Sequence, residues 1–456
     1  MGKIKSFTSE KVFERVFQLW FLCFPFGAGF LTLSLVFFTI YPSMFVSGIL
    51  FILTLFFKPY KLDKFYMMIL AFWAVWLIYA LARLVILPVI NFHDAIFDLR
   101  SLFMFALTIY LVFLSVKILG WEKFRKNIAD LSLVLFVIFT VIGFFEFFSG
   151  IHIAGMRTLK ILNEPVSNVT YAPFFVYDNP NNFIVYYFLF SLLIMLFHES
   201  IRRNIWALIT IVLLVFFFSY VADARFGKYS SYLMIIVVLF AFRPKIKIVF
   251  YALALAFAIL CFLWKPLFYG PVWQNGEKYQ LNELTCLQTD STLKICSIKD
   301  LKNSYSEDTL MAKIAAYKNS KGESGNIRLG LIKNGLYLFK QSRFLGVGPG
   351  QFISYHRIKK VPVDVGTQLS AHAWLIEILS QYGVIIFICY IAVFGFIFLR
   401  AASKFRNDKN LTLFFLMSII VFFIVSNLPS AFLLLDINWI FTALILVFYK
   451  NEFSGA

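Results

Sequence analysis

Long apolar runs recur along almost the whole chain and are separated by short polar stretches. The longer runs approach the roughly 20 residues that a helix needs to cross a hydrocarbon core about 30 Å thick. The pattern predicts an all-α integral membrane protein with about twelve transmembrane helices. We place these spans at Phe17–Leu35, Phe38–Phe57, Tyr66–Val89, Ser101–Val116, Leu131–Phe148, Phe183–Phe197, Ile205–Tyr220, Ser231–Phe242, Ile248–Leu267, Trp374–Leu399, Leu411–Val425 and Leu433–Tyr449.

Composition agrees with this class of protein. The chain is 61% hydrophobic and 14% charged, whereas soluble globular domains average about 45–50% apolar and about 25% charged residues. The first 15 residues are basic, but no small-residue cleavage site follows the apolar run behind them. We therefore expect an uncleaved first helix rather than a signal peptide.

Basic residues beside the spans fall in alternate loops. Because cytoplasmic loops carry an excess of Lys and Arg, these loops and both termini are predicted to be cytoplasmic. The net charge of +18 is then mostly a topology signal combined with attraction to anionic membrane lipid, and we expect no nucleic-acid binding. The residues are Lys58, Lys61 and Lys64, then Lys123, Arg125 and Lys126, then Arg202 and Arg203, then Arg243, Lys245 and Lys247, then Arg400, Lys404 and Arg406.

This alternation leaves one large outer loop between the ninth and tenth spans. It divides the chain into residues 1–267 with spans one to nine, residues 268–371 as the outer loop, and residues 372–456 with the last three spans. A loop of this length is usually functional or disordered. Apolar positions near its end predict an amphipathic helix that lies on the membrane. These positions are Ile327, Leu331, Ile332, Leu336, Leu338 and Phe339.

Several motifs lie on the predicted outer face. Arg225 follows the seventh span in Ala224-Arg-Phe-Gly, and an arginine kept at a helix end is a functional-site hypothesis because membrane insertion of arginine costs about 2.5–3.5 kcal/mol. The other motifs are Asn179-Pro-Asn-Asn182 before the sixth span, Arg328 at the start of the amphipathic helix, Gly346-Val-Gly-Pro-Gly350, and His372, Glu377 and Gly383 where the tenth span begins.

In this order and on one membrane face, these motifs resemble the O-antigen polymerase and O-antigen ligase superfamily of bacterial membrane glycosyltransferases. The chain departs from the family pattern at Ala373, where Asn is frequent, and at Ala224, where Ser is frequent. The resemblance implies glycosyl transfer from an undecaprenyl diphosphate-linked saccharide, at the outer face of the bacterial plasma (inner) membrane, without a metal or cofactor.

The residue chemistry supports the same reaction. Breaking a sugar–diphosphate bond develops negative charge on an anionic leaving group, so preorganised positive charge from Arg225 and Arg328 would stabilise it. Arginine binds phosphate oxygens bidentately and stays protonated. His372, with an ordinary pKa of about 6.5, can accept the proton of the attacking sugar hydroxyl. We therefore assign these three residues as the catalytic candidates.

Each candidate also has a structural interpretation. Arg225 could cap its helix or pair with Asp223, Arg328 could be one of several exposed basic residues, and the glycines could simply form a tight loop. The Asn-Pro-Asn motif is more typical of a turn and helix start than of a ligand. Further candidates for substrate binding are Arg83, Arg100, Arg157, Arg343, Glu377 and Asn181.

Cysteine and carboxylate placement constrains the remaining chemistry. Cys286 and Cys296 both lie in the outer loop, and we expect a disulfide between them because that compartment is oxidising. No Cys/His spacing indicates zinc, and no nucleotide-binding fingerprint is present. The turn near Tyr41-Pro-Ser43 lacks the carboxylates that metal-dependent membrane glycosyltransferases usually carry in the first outer loop.

The leading functional prediction is a lipid-linked oligosaccharide polymerase for O-antigen, capsule or wall glycan. It is preferred over a ligase only because polymerases are the commoner members of the superfamily. A ligase that transfers the glycan to a lipid A core, a wall polymer or a protein is the alternative. A flippase or transporter should instead place charges at the midplane in broken helices related by repeats. For a polymerase, a chain-length regulator and a repeat-unit flippase are expected partners.

Overall fold

The computed structural model describes residues 2–26, 33–34, 39–57, 61–149, 175, 180–222, 224–242, 271–274, 277–280, 326–366, 369–406, 408–429, 431, 433 and 435–454. Nearly all of these residues are helical. The helices are α1 Gly2–Cys23, α2 Pro42–Thr54, α3 Lys64–Ile86, α4 Phe92–Leu119, α5 Trp121–Ser149, α6 Pro180–Phe197, α7 Glu199–Arg203, α8 Ile205–Val221, α9 Arg225–Ala241, α10 at 326–341, α11 Gln351–Arg357, α12 Trp374–Ser403, α13 Lys409–Val425 and α14 Asp436–Glu452.

Two small antiparallel hairpins accompany the helices. One pairs β1 (Leu33–Ser34) with β2 (Thr39–Ile40), and the other pairs β3 (Pro271–Gln274) with β4 (Glu277–Gln280). Helices nevertheless form most of the packed core that the structure describes, so the coarse prediction of a helical membrane protein is confirmed.

The lengths of the helices bear on the number of spans. Among the described residues, α3, α4, α5 and α12 are long and apolar enough to cross a membrane, and α2, α6, α8 and α13 are apolar but shorter. The chain is thus a multi-pass membrane protein, and twelve spans remains a prediction. The ninth predicted span, Ile248–Leu267, lies outside the described residues.

The first predicted span is wrong in its bounds. We expected Phe17–Leu35, but α1 ends at Cys23 and a 3-10 turn follows at Phe24–Phe26. Pro25 explains this end, because proline has no N–H to donate and disfavours helical geometry in the residue before it. The apolar run alone did not reveal the break, since both sides of it are equally hydrophobic.

Two helices form the centre of the bundle. Every residue of α6 from Phe183 to Phe197 is buried, as is every residue of α14 from Asp436 to Tyr449. Helices that are apolar on all sides are typical of such central positions. Hydrogen bonds from the Tyr186 hydroxyl (2.5 Å) and the Ser43 hydroxyl (3.0 Å) to the Asp436 carboxylate link α6 and α2 to α14.

The surrounding helices expose large apolar side chains, as expected for surfaces that contact lipid. Val85 on α3 is 87% exposed, and Leu399 on α12 is 70% exposed. In water such a surface would promote aggregation, but lipid tails solvate it without cost. The exposed apolar surface therefore agrees with a membrane location.

Most of the described ion pairs gather at one end of the bundle. Lys123 at the start of α5 contacts Glu10 (3.2 Å) and Glu14 (2.9 Å) of α1. Arg125 contacts Glu199 (3.0 Å) and Glu452 (3.5 Å), the second of which lies at the end of α14. The first and last helices therefore meet the segment that the charge pattern predicts to be cytoplasmic.

The segment from 326 to 371 packs at the opposite end. Leu331 and Leu338 of α10 are fully buried in a small cluster with Val347, Phe352 and Val365. These two leucines therefore face protein, which corrects the expectation that the whole apolar face of this helix lies on the membrane. Hydrogen bonds join this segment to α3, α4 and α12, mostly through backbone groups of its short loops. Leu329, Leu336 and Tyr337 of α10 remain exposed.

Candidate active site

The turn between α8 and α9 places Arg225 as the first residue of α9. The Ala224 N–H donates to the Ser219 carbonyl at 3.0 Å, which closes the turn. A Cβ at Gly227 would lie 3.0 Å from Ser219 Oγ, so glycine lets the start of α9 pack closely against α8 without displacing that side chain. The Arg225 side chain is exposed at this fixed position. Asp223, its suggested partner, lies outside the described residues.

Arg328, in the first described turn of α10, approaches the same helix start. Its Cζ lies 5.7 Å from the ring centroid of Phe226, a cation–π contact with the residue directly after Arg225. Burial, and then the positive charge of Arg225, lower the pKa of the Arg328 guanidinium. Among the described residues, neither arginine forms a salt bridge with a carboxylate. Two adjacent guanidinium groups of this kind are suited to an anion.

His372 lies just before α12 with its backbone in the left-handed region, at φ +48°. Non-glycine residues in this region cost about 1–3 kcal/mol and cluster at functional sites. Burial, and then the positive charge of Arg328, lower the pKa of His372 to about 4. The imidazole is therefore neutral at neutral pH. The charge of Arg328 thus acts on His372 and that of Arg225 acts on Arg328, although the three are distant in sequence.

The Gly346–Gly350 loop uses its backbone donors within the protein. The N–H groups of Gly346, Val347, Gly348 and Gly350 donate to Ser342 Oγ (2.9 Å), the Ser380 carbonyl (2.8 Å), the Gln381 carbonyl (2.9 Å) and Asp98 Oδ2 (3.0 Å). A phosphate cradle needs free N–H groups. The structure therefore favours the interpretation of these glycines as a tight packing loop.

A break in α12 provides the partners of this loop. Gly383 has φ +77° within the helix, which interrupts the α-helical hydrogen bonds around it. The carbonyls of Ser380 and Gln381 then accept from the loop, and the Val384 N–H donates to the Phe344 carbonyl at 2.9 Å. The positive φ at Gly383 thus favours glycine at this position. The sequence pattern alone did not indicate this break in the helix.

Arg83 and Arg100 have protein contacts of their own. Arg83 is buried and donates from Nη2 to the Gly346 carbonyl. The Arg100 guanidinium lies over the rings of Phe97 (4.2 Å) and Tyr41 (5.6 Å). These contacts support structural roles next to the loop.

The other candidates lie in different settings. Arg343 is exposed, with φ +54°. Glu377 is buried in the first turn of α12, and Asn181 is half-buried near the start of α6. Arg157, Cys286 and Cys296 lie outside the described residues, so the proposed disulfide lies there too.

Sequence reasoning missed the carboxylates of α4. Asp98 accepts from the Tyr382 hydroxyl at 2.5 Å as well as from Gly350, and Asp94 forms an ion pair with Arg357 at 2.6 Å. The predicted fourth span begins at Ser101, so Asp94 and Asp98 lie in the polar stretch before it. Two acidic residues one turn apart at the start of an apolar helix were the available signal. Among the described residues, no group of three His, Cys, Asp or Glu could hold a metal ion.

Fold and site together define a multi-pass helical membrane protein with a paired-arginine and histidine cluster at one end. A family model described as O-antigen ligase matches residues 222–391, which include Arg225, Arg328 and His372. The teichuronic acid biosynthesis protein TuaE of Bacillus subtilis (strain 168) is 22% identical over 455 residues, covering 96% of this chain and 84% of that protein. No solved structure matches. These findings confirm the resemblance to the O-antigen ligase and polymerase superfamily.

Proposed function

We propose that this protein is a metal-independent glycosyltransferase that polymerises undecaprenyl diphosphate-linked oligosaccharide repeat units for a surface polysaccharide. The observation that carries the proposal is the placement of Arg328 over Phe226, directly beside Arg225, with His372 close enough for the charge of Arg328 to lower its pKa. The O-antigen ligase family match and the similarity to a teichuronic acid biosynthesis protein support a role in surface-glycan synthesis.

The two arginines supply the charge that the leaving group needs. Arg328 is held over Phe226, and Arg225 is exposed at the first turn of α9, where the partial positive charge of the helix N-terminus adds to its own. A diphosphate bound between them would offset their mutual repulsion. The same contacts strengthen as the sugar–diphosphate bond breaks, which is how differential binding lowers the barrier.

His372 serves as the general base. Its low pKa keeps the imidazole neutral before the diphosphate donor binds. A bound diphosphate would offset the charge of Arg328 and raise the pKa of His372 towards its ordinary value, which strengthens the base only when the donor is present. The hydroxyl proton passes to the imidazole as the oxygen attacks the anomeric carbon, and the diphosphate leaves with the bonding electrons.

The charge pattern favours an active site on the outer side of the membrane, with residues 268–371 as an outer loop between two groups of spans. Basic residues paired with carboxylates meet at the opposite end of the bundle. A repeat-unit flippase would deliver the donor to this face, and a chain-length regulator would act on the product. Ligation to a lipid A core, wall polymer or protein is the alternative use of the same chemistry.

The proposal is tested with purified protein in lipid nanodiscs, supplied with undecaprenyl diphosphate-linked repeat unit as both donor and acceptor. We expect new glycosidic bonds and released undecaprenyl diphosphate, with EDTA having no effect. Arg225→Lys should greatly reduce transfer, because a point charge does not reproduce bidentate phosphate binding. The matched control is Arg203→Lys at the opposite end of the bundle, where Arg203 is exposed and paired with Glu199.

Three outcomes would contradict the proposal. Complete loss with EDTA that is restored by a divalent ion would indicate a metal-dependent class. Equal activity of Arg225→Lys and Arg203→Lys would remove Arg225 from the site. Movement of the lipid-linked substrate across the bilayer without a new glycosidic bond would indicate the flippase alternative.

A further inference from the structure

A cleft lies beside the candidate active site. It is formed by the start of α4, the Gly350 turn, the residues before His372 and the first turns of α12, and its empty volume is about 410 Å³ including the open mouth. The residues that line it include Asp98, Ser370, Ala371, Glu377, Gln381 and Ala431.

Gln381 is the unexplained group in this cleft. Its side chain is only 3% exposed, and its Oε1 atom is buried with no hydrogen-bond donor among the described residues. The amide of the same side chain bonds to Asp98, which fixes the orientation of the group. A buried acceptor without a donor costs about 1–3 kcal/mol. A ligand that donates a hydrogen bond would recover this loss.

The chemistry of the cleft indicates which ligand fits. Besides Gln381 Oε1, it is lined by the carboxylates of Asp98 and Glu377, which are 6% and 4% exposed. Ionised carboxylates only accept hydrogen bonds. The described carboxylates form no group that could hold a metal ion. A neutral molecule with several hydroxyl donors therefore fits best, whereas a phosphate or a uronic acid would be repelled.

The position of the cleft relates it to the reaction. Ser370 and Ala371 line it and directly precede His372 in the chain, and Glu377 follows five residues later. The basic groups, Arg225 and Arg328, are not among its lining residues. The cleft thus lies next to His372 along the chain and is lined by hydrogen-bond acceptors rather than by the basic pair, so it suits a hydroxyl-bearing acceptor, whereas the two arginines suit an anionic donor.

We propose that this cleft binds the terminal neutral sugar of the acceptor glycan and presents its hydroxyl to His372. The inference rests on the proposed function. It assigns Gln381 and Asp98 as binding residues for the acceptor and makes the cleft selective for uncharged sugar rings over uronic acids at this one position.

Sugar binding is measured first, independently of transfer. The full chain is reconstituted in lipid nanodiscs, because maltoside detergents carry competing sugar rings. Methyl glycosides of glucose, galactose, N-acetylglucosamine and glucuronic acid are titrated by saturation-transfer NMR. We expect at least one neutral glycoside to bind and the glucuronide to bind more weakly than the corresponding glucoside.

Two variants connect this binding to the cleft. Gln381→Leu should weaken neutral glycoside binding about tenfold, which corresponds to about 1.4 kcal/mol. Gln341→Leu makes the same change at an exposed position of α10 and should have no effect. Because Gln381→Leu also removes a partner of Asp98 and could destabilise the fold, Ala431→Phe provides a second test, which obstructs the cleft without removing a hydrogen-bonding side chain.

The transfer assay then separates the two proposals. Relative to the wild type, Gln381→Leu should raise the acceptor KM about tenfold while donor binding is unchanged. Glycoside binding that is equal in Gln381→Leu, Ala431→Phe and Gln341→Leu would overturn the cleft assignment and leave the glycosyltransferase proposal standing. Tight binding of calcium or magnesium that Gln381→Leu abolishes would overturn it in favour of a cation site. Glycoside binding without any transfer would sink the proposed function, and the acceptor role with it.

Discussion

At the scale of single residues, the charge of Arg328 controls the basicity of His372. With a pKa of about 4, His372 in the free enzyme stays neutral far below its ordinary titration range. Since kcat/KM reports the pKa of the free enzyme, we expect its acid limb to lie well below pH 6.5. Arg328→Gln removes the positive charge that, after burial, lowers the pKa of His372. The residual activity of this variant should therefore show its acid limb at a higher pH than the wild type.

This pH dependence is measured from pH 4 to pH 8 in nanodiscs, with thermal unfolding followed in parallel. An acid limb at the same pH in wild type and Arg328→Gln would show that Arg328 does not act on the base. The low pKa of His372 also makes the stability of the fold depend on pH. The folded-state pKa is below that of the unfolded chain, so the unfolded state binds more protons between about pH 6.5 and pH 4 and stability falls as pH decreases through this window.

His372→Ala removes the proposed base. Loss of a general base typically costs about 10²–10⁴ in rate, so transfer should fall by this factor. Donor binding should remain, because the arginines hold the diphosphate. Initial rates and donor titration on the same preparation check both parts. His356→Gln is a useful comparison, because His356 is buried between α10 and α11, where it contacts Asn334 at 3.0 Å, and has no proposed catalytic role.

A result in which His372→Ala keeps near-normal transfer would remove this residue from the mechanism. Loss of donor binding together with transfer would instead indicate a structural role, since the histidine holds a left-handed backbone position that alanine adopts poorly. His372→Asn resolves that case, because asparagine tolerates φ > 0 better than most residues and cannot act as the base.

At the scale of elements, the break in α12 fixes the Gly346–Gly350 loop. A Cβ at Gly383 would lie 2.5 Å from the Leu345 carbonyl carbon, and φ is +77° there. The obstructing atoms are backbone, so no side-chain movement relieves the clash. Gly383→Ala should therefore destabilise the protein by at least the 1–3 kcal/mol of a forced positive φ, which corresponds to a drop of several degrees in Tm.

The matched control lies on the same helix. Gly395 has no atom within 4 Å of the added Cβ, and alanine in a helix interior is favoured over glycine by about 0.5–1 kcal/mol. Gly395→Ala should thus leave the Tm unchanged or raise it slightly. Thermal scans of the nanodisc-embedded proteins compare the two variants. Equal Tm values would show that α12 is continuous at Gly383.

Apolar runs predicted most of the described helices because burial and lipid contact both select apolar residues, whatever the neighbours are. The outer motifs singled out Arg225, Arg328 and His372, and their shared role in one site stays a prediction. The apolar pattern did not predict that α1 ends at Cys23, because a single proline within an apolar run interrupts the helix there. It also missed the use of Asp98 by Gly350 and Tyr382, because that contact joins residues separated by more than 250 positions.

At the scale of the whole molecule, charges are treated differently at the two ends of the bundle. At the predicted cytoplasmic end, Arg125 and Lys123 are paired with carboxylates of α1, α7 and α14. At the other end Arg357 is paired with Asp94, but Arg225 and Arg328 lie next to each other without a described carboxylate partner. Paired charges stabilise the ends of helices, whereas an unpaired cationic cluster repels itself and is stabilised by an anion. This asymmetry favours a function located at one face.

The last prediction separates a polymerase from a ligase. A polymerase must hold two lipid-linked glycans at once, one as diphosphate donor and one as hydroxyl acceptor, both anchored in the same leaflet. It therefore needs two lateral openings between helices, a basic one near Arg225 and Arg328 and one that leads to His372. Protein supplied only with the lipid-linked repeat unit, without ATP, should make a ladder of longer lipid-linked products, because the diphosphate bond supplies the driving force. Gel separation of the products shows the ladder. If the mixture stays at one repeat, and addition of a lipid A core, wall polymer or protein acceptor yields a conjugate, the polymerase assignment is wrong and the ligase alternative holds.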